Sequence, residues 1–439
     1  MSAPAGTGRA PRRVVLLGGG YVTLHAYGAL VRRLRREIRR GDVEVVVVSA
    51  DDVHNFHGFT GEVAGGRVPA HLTQAPLVEV MPHAHVLHAR VLHVDLERCA
   101  VTYELVGEAA AGTSGAPAGA HGGGTVRYDA LVVGTGATEP LDAVPGLADR
   151  AVTLRRPGGL RALAEQAVAA GADGRPVVVV GGGMAGVELA AALADRVGPT
   201  PPPAVVLVHA GDRVVPTLHD EQPRLAARCV AELARLGVDV RTGTRVVAAD
   251  EHGVTLSDGA HVPAGTVLAT TGQRPVPLPG LELLARDAKG RLLTQRDLRV
   301  TPVDASTATT VWAAGDAAAV QHPRTGVPVP ANALWAIKAG DQVGRNVAHT
   351  LRGRPARPFR YLGLGQAASF GTGRGVADLY GFPITGWAAW VMRLGFFLRF
   401  MPSRSRALRI PFALVSAGAG RSARAGRHRA TVVPAQVRA

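Results

Sequence analysis

Twice in this chain a run of aliphatic, largely β-branched residues ends in a glycine cluster and passes at once into a helix-forming segment. The two stretches read VVLLGGGYVTLHAYGAL over 14–30 and VVVVGGGMAGVELAAAL over 177–193. A short apolar run of this kind predicts a strand buried on both faces, as in a parallel sheet. In the second stretch Gly181, Gly183 and Gly186 form G-x-G-x-x-G. Such glycines serve a tight turn, close approach of backbone to a pyrophosphate, and close packing of helix on strand. The phosphates then sit on the helix N-terminus, where unpaired N–H groups and the positive dipole end point at them. The first stretch has Gly18 to Gly20, but Thr23 stands at the third motif position. Two such loops imply two dinucleotides and electron transfer between them.

At 439 residues the chain has room for two or three domains. Its cysteines, Cys99 and Cys229, are far apart, so neither a disulfide framework nor a cysteine metal site is expected. No opening segment has the layout of a secretion signal. No stretch of about 18 uncharged apolar residues suggests a transmembrane helix. The formal charge of +15 is unevenly spread. From Leu351 onward there are 15 arginines and one acid, Asp378, so nearly all the excess lies in the tail. An anionic surface would bind there.

Residues 1–12 read as a disordered start. VEVVVVS (43–49) predicts the second parallel strand, whose end usually carries an acid for the adenosine ribose; here it carries Ser49. His83, His85, His88 and His93 include an H-x-H pair, but no carboxylate or thiol completes a metal set nearby. Residues 101–105 and 125–134 predict strands, joined by a low-complexity stretch read as a mobile hairpin loop. After the second loop, the strand AVVLVH again lacks its terminal acid and ends in His209, with Arg213 four residues on. An acid would repel a 2′-phosphate and an arginine could hold one, although a solvent-facing loop arginine would look the same. NADH and NADPH both stay open. VWAAGDAAAV (311–320) predicts a strand ending in Gly315-Asp316 before a helix, where Asp316 could hold a sugar hydroxyl and the helix end a phosphate.

Together with FHGFTGEVAGG (56–66), YDALVVGTGA, VVPTLHDEQPRLAARCVAELARLGVDV and AWVMRLGFFLRF, these features resemble the pyridine-nucleotide-dependent flavoprotein reductases. Within them the chain is similar to the type II NADH:quinone oxidoreductases over roughly residues 14–410. The resemblance implies FAD at Gly18, Gly20, Thr23, Ser49, Gly136, Gly315, Asp316 and Ala333. It implies NADH or NADPH at Gly181, Gly183 and Gly186, with His209 and Arg213 at the adenosine end. Glu188 of GVELA matches a family residue near the nicotinamide that is implicated in proton relay, although acids are favoured early in any helix. The family's quinone-side A-Q-x-A-x-Q is replaced by Ala333-Leu334-Trp335-Ala336-Ile337-Lys338; Lys338 could serve as a donor in place of the second glutamine, while adding charge.

The expected fold is α/β, with two Rossmann-like domains, the second inserted in the first. FAD would occupy residues 1–150 and 276–350, and NAD(P)H residues 151–275. Residues 351–439 would form a basic, partly amphipathic, membrane-facing module with a disordered tail. Its WAAWVMRLGFFLRFM stretch (387–401) is too short and too charged to span a bilayer. It places Trp387, Trp390, Val391, Leu394, Phe397, Leu398 and Met401 on one face, suited to an anionic membrane surface. The expected activity is transfer of hydride from NAD(P)H to FAD and of two electrons to a membrane quinone, by a cytoplasmic protein peripheral on the inner face of the cell membrane. No nucleic-acid partner is expected, and a homodimer is left open. The alternatives are a soluble diaphorase or ferredoxin-type reductase, a non-catalytic nucleotide sensor, and a nucleic-acid binder using the tail.

Overall fold

The computed structural model describes residues 10–106, 122–156, 158–169, 174–198, 202–304 and 309–431. The low-complexity stretch 107–121 and the first nine residues lie outside them. The chain divides into two compact units. One comprises residues 1–54, 76–138 and 273–363; the other 55–75, 139–272 and 364–439.

The first unit is built on a seven-stranded sheet. Its parallel part runs Val311–Ala313, Ala130–Val133, Arg12–Leu17, Val43–Ser49 and His85–Asp95. The strands Ala100–Leu105 and Gly123–Arg127 extend it antiparallel. Val14 to Leu17 and Val45 to Val48 are all buried, as a sheet covered on both faces requires. The helix Tyr21–Arg40 leaves the central strand directly after Gly18–Gly20. It packs closely on the helix Ala333–Leu351 through two glycines of the latter. A Cβ at Gly340 would lie 2.6 Å from the Val22 carbonyl oxygen, and one at Gly344 would run into that of Ala26. The sequence therefore buys close helix contact with glycine on one partner and small residues on the other.

The second unit holds a five-stranded parallel sheet in the order Ala151–Val152, Thr266–Ala269, Val177–Val180, Val205–Val208 and Asp239–Arg241. The helix Met184–Val197 follows the second glycine cluster. Residues from 364 onward belong to this same unit: a three-stranded antiparallel sheet (Gly365–Ser369, Gly375–Leu379, Phe382–Thr385), then the helices Gly386–Phe400 and Arg404–Thr431. Thus the stretch read as a separate C-terminal module, and residues 55–75, pack with the second glycine-loop fold. The basic tail read as disordered is helical to Thr431, and residues 432–439 lie outside the described residues. No helix among the described residues is long and apolar enough to cross a membrane.

Two local expectations are corrected. Arg12 is already in the first strand. No long helix follows Gly315-Asp316: Gly315–Ala317 is a single 3₁₀ turn. Ala318–Ala319 then pairs as a strand with Leu292–Leu293, and that ladder takes the backbone groups a helix would need.

Candidate functional site

The first glycine loop is shaped by steric necessity. Gly18 has φ +94°, and a Cβ there would lie 2.6 Å from the Gly134 carbonyl oxygen. At Gly19 a Cβ would fall 2.9 Å from both the Leu77 side chain and the Ser49 hydroxyl. Ser49 is thus buried beneath the loop, where its Oγ accepts from the Asp51 N–H at 3.2 Å. Gly20 caps the helix without a side-chain hydrogen bond, and the first turn carries no acid. That leaves the donors of the helix end available to an anion. The Thr135 hydroxyl, just past Gly134, is buried without a protein partner, which suits a polar ligand group beside the loop. The residues therefore fit a dinucleotide such as FAD. Gly136 (φ +70°) and Gly315 (φ +65°) hold left-handed turns that favour glycine. Asp316 is partly buried in the 3₁₀ turn.

Ala333 opens its helix, exposed, behind Asn332, whose Oδ1 accepts from the Leu334 N–H at 2.8 Å. Leu334, at the position of a family glutamine, is buried, whereas Lys338 is exposed. Two histidines of this unit interact with each other, and one of them bonds the first glycine loop. His54 is fully buried and bonds Gly19 O through Nδ1 at 2.9 Å. Burial holds it at a pKa of about 4. Burial also lowers His25 to about 4, with further depression from His54, Arg32 and Lys338 against a contrary pull from Asp341.

The second loop has the same plan. Gly181 has φ +112°, and a Cβ there would lie 2.5 Å from Thr270 O; a Cβ at Gly186 would run into the Gly181 carbonyl oxygen. Gly183 caps the helix with open space beside it and no side-chain bond. The Thr271 hydroxyl is buried without a protein partner. Again the residues fit a dinucleotide. His209 accepts the Gly182 N–H on Nδ1 at 3.1 Å, while Arg213 is exposed.

Glu188 lies past the first turn of its helix, which holds no acid, so the helix-end dipole does not account for it. Its Oε1 accepts from Arg393 Nη2 at 2.6 Å and from the Ser369 N–H at 3.0 Å. Arg393, with a side chain only 2% exposed, also donates to Glu62 Oε1 at 2.7 Å and to Gly58 O at 2.8 Å. Its guanidinium lies over the Phe397 ring at 4.7 Å. One guanidinium thus serves two carboxyl groups. Burial pushes the Glu188 pKa above the usual carboxylate range; Arg393 opposes this and Glu62 adds to it.

Sequence reasoning placed Arg393 as a charge interrupting a membrane-facing helix, and this is corrected. It is buried because two carboxylates and an aromatic ring receive it. Phe397 likewise packs against Phe56 and Phe59, and Met401 is buried. The available signal was helical spacing: Arg393 stands one turn before Phe397. Glu62, Thr135, Thr271 and Asn332 were also missed, and only Asn332 carried a local signal, as a helix N-cap residue. His88 of the histidine group bonds Ala50 O through Nε2 at 3.1 Å.

Residues 12–340 match the family described as pyridine nucleotide-disulphide oxidoreductase. The chain belongs to this family. It is an oxidoreductase of the pyridine-nucleotide type, although Cys99 and Cys229 are both free thiols. It is 29% identical over 391 residues to the demethylphylloquinone reductase NdbB of Synechocystis, spanning 87% of this chain and 90% of that one. It is 24% identical over 407 residues to the type II NADH:quinone oxidoreductase of Staphylococcus aureus, spanning 87% and 93%. The fold matches that of NDH2 from Plasmodium falciparum in complex with NADH, with TM-score 0.75 at 12% identity over 93% of this chain and 98% of that one.

Proposed function

We propose that this family member is a FAD-dependent NAD(P)H:quinone oxidoreductase, with FAD at the first glycine loop and NAD(P)H at the second. The observation that carries the reading is the repeated, uncapped glycine-loop helix end, each beside a buried, unpartnered threonine hydroxyl. The names of the relatives supply the quinone. FAD, when bound, supplies the two-electron carrier between the nicotinamide and the acceptor. The protein's own part is positional and electrostatic. The loop N–H groups hold diphosphates, with Gly136, Gly315 and Asp316 completing the FAD cradle. Arg393 and Ser369 fix Glu188 Oε1, leaving Oε2 to hold or release a proton. Because Glu62 shares the guanidinium, Arg393 does not pin Glu188 as a carboxylate. Lys338, exposed on its helix, is the cation assigned to the acceptor side.

We further propose that the chain docks on the cytoplasmic membrane surface through its last helix. Leu408, Phe412 and Val415 are 72%, 78% and 74% exposed and share one helical face. Exposed Arg404 and Arg409 flank it, while Ala407, Ile410 and Leu414 are buried. A shallow apolar row with basic flanks suits an anionic bilayer.

The test is NADH and NADPH oxidation by the purified, flavin-loaded protein with a short-chain quinone or with ferredoxin, together with flotation on anionic liposomes. Yellow protein, turnover with quinone and flotation lost in a Leu408→Ser/Phe412→Ser/Val415→Ser variant are expected. Protein that cannot be loaded with FAD sinks the activity; turnover with ferredoxin alone replaces the acceptor. Unchanged flotation of the triple variant removes the helix from the membrane.

A further inference from the structure

We propose that Arg228, Arg235 and Arg374 form a binding site for a phosphate dianion on the surface of the second unit, taken either as a free ion or as a lipid headgroup. The site uses no residue of either glycine loop and stands whether or not the dinucleotide reading holds.

Three guanidiniums meet on one buried carboxylate. Glu232, with a side chain 3% exposed, is the only acid of the helix Pro223–Arg235. Arg228 Nη2 lies 2.6 Å from its Oε1 and Arg235 Nε 2.7 Å from its Oε2, one from the turn before and one from the turn after. The third guanidinium comes from outside the helix, with Arg374 Nη1 3.5 Å from the same Oε2. Arg374 ends a closed turn between the strands Gly365–Ser369 and Gly375–Leu379. Phe370 N–H donates to Arg374 O at 2.9 Å, and Gly371 and Gly373 supply left-handed φ values of +103° and +72°.

The helix's own two arginines already satisfy Glu232, so the third is surplus. Burial pulls the Glu232 carboxyl up, but the Arg235 hydrogen bond and the charges of Arg235, Arg228 and Arg374 hold it below the usual carboxylate range. Glu232 is therefore ionised, and three guanidiniums against one carboxylate leave two positive charges uncompensated. Like charges gathered in this way repel unless an anion joins them. The three side chains are 47%, 41% and 43% exposed, so N–H groups not engaged by Glu232 reach solvent. Their shared oxygen puts Arg235 Nε and Arg374 Nη1 no more than about 6 Å apart, a gap that two phosphate oxygens bridge with charge-assisted bonds of about 2.8 Å. The planar forks and the double charge suit a phosphate better than a monovalent ion. The turn starts one residue after Ser369, whose N–H holds Glu188 Oε1. An anion that ties Arg374 to the helix braces the hairpin carrying that contact.

The experiment uses the full chain in excess FAD and NAD⁺, which fill the glycine loops, at about pH 8, where phosphate is a dianion. One arm titrates inorganic phosphate by calorimetry and thermal unfolding against sodium chloride of equal ionic strength. The other compares phosphatidate vesicles with phosphatidylglycerol vesicles of equal charge. One saturable phosphate site with Kd of about 1 mM or tighter is expected, with thermal stability rising as it fills. Arg374→Gln, half-exposed and at a long pairing distance, should fold and weaken phosphate about tenfold or more. Glu232→Gln should tighten phosphate about threefold or more, because it removes the one negative charge of the site. Saturation by free phosphate identifies a soluble ion, and a preference for phosphatidate alone identifies a headgroup; either upholds the site when Arg374→Gln abolishes it. No preference over the control in either arm overturns the proposal, as does a preference that survives Arg374→Gln. A folded Glu232→Gln variant that binds phosphate no more tightly than the wild type overturns it too.

Discussion

The two glycine loops solve one packing problem with the same two residue types placed oppositely. In the first unit the helix contributes Thr23, fully buried, whose hydroxyl donates to Leu17 O at 3.3 Å; the neighbouring strand end contributes Gly134. In the second unit the helix contributes Gly186 and the strand end Thr270, whose hydroxyl lies 3.0 Å from both Val180 O and Gly181 O. The backbone frame is equivalent, because Gly134 N–H donates to Leu17 O as Thr270 N–H donates to Val180 O. A Cβ at Gly134 would lie 2.8 Å from the Thr23 hydroxyl, and one at Gly186 would lie 2.8 Å from that of Thr270. One threonine and one glycine therefore meet across each helix–strand contact. The departure from G-x-G-x-x-G at Thr23 is an exchange of partners, with the need for glycine moved to the adjacent strand.

The largest effect expected from this comparison is at Gly186. An added methyl would meet both the Gly181 carbonyl and the Thr270 hydroxyl, and the first of these is backbone that cannot rotate away. Gly186→Ala should cost about 3 kcal/mol or more and abolish measurable NAD(P)H binding, while flavin at the first loop is retained. Calorimetric titration with NADH and the visible flavin spectrum check the two halves. Normal NADH binding by this variant would show that the close approach is not required.

This pairing explains what was legible beforehand. The strands, both glycine loops and both helix starts were readable, because burial on two faces and forbidden Cβ positions leave few residue types. The Thr23–Gly134 exchange was not, since the two residues are distant in sequence and each looks ordinary locally. Arg393 was hidden for the same reason. Its partners, Glu62 and Glu188, lie in segments far from it in sequence, and an arginine in an apolar helix otherwise indicates an interface. The 3₁₀ turn after Asp316 was misread because Ala317 to Ala319 favour helix by propensity, while the ladder to Leu292–Leu293 decides otherwise.

The next effect sharpens the contrast between the two units, since one backs its glycine-loop helix with charges and the other bonds its loop to a neutral ring. Arg393→Met leaves buried Glu62 and half-buried Glu188 without their shared cation, and should cost about 3 kcal/mol. Arg393→Lys should recover part of this, less than fully because an ammonium lacks the planar fork. Denaturant unfolding followed through the second unit's tryptophans, Trp387 and Trp390, measures both. A loss under about 1 kcal/mol in Arg393→Met would mean that the triad is solvated and carries little.

In the first unit the corresponding test is acid. The His54 pKa of about 4 lies below the unfolded value of about 6.5, so the unfolded chain binds more protons between the two. The stability that neutral His54 confers is complete above about pH 6.5 and declines as pH falls toward 4, by up to about 3 kcal/mol. Flavin release on heating should therefore come at lower temperature at pH 5 than at pH 7. His54→Gln should flatten that dependence. Equal slopes in the two proteins would move the acid sensitivity to other groups.

The smallest effect bears most directly on the exchange of partners. Thr23→Gly removes a long hydrogen bond to Leu17 O, which keeps its bond from the Gly134 N–H. It also places a second glycine in the helix, for a combined loss of about 1–2 kcal/mol. Gly134→Thr alone forces a Cβ against the Thr23 hydroxyl and the Val22 side chain and should cost more. The double variant rebuilds in the first unit the arrangement of the second, with threonine on the strand and glycine on the helix. The hydroxyl clash is then gone, and the new threonine can reach Leu17 O as Thr270 reaches Val180 O. A double-mutant cycle on thermal stability should show a favourable coupling of about 1 kcal/mol, above the error expected for independent sites. Coupling at or below about 0.3 kcal/mol would mean that Thr23 and Gly134 vary independently, and that the resemblance between the two contacts is geometric without being energetic.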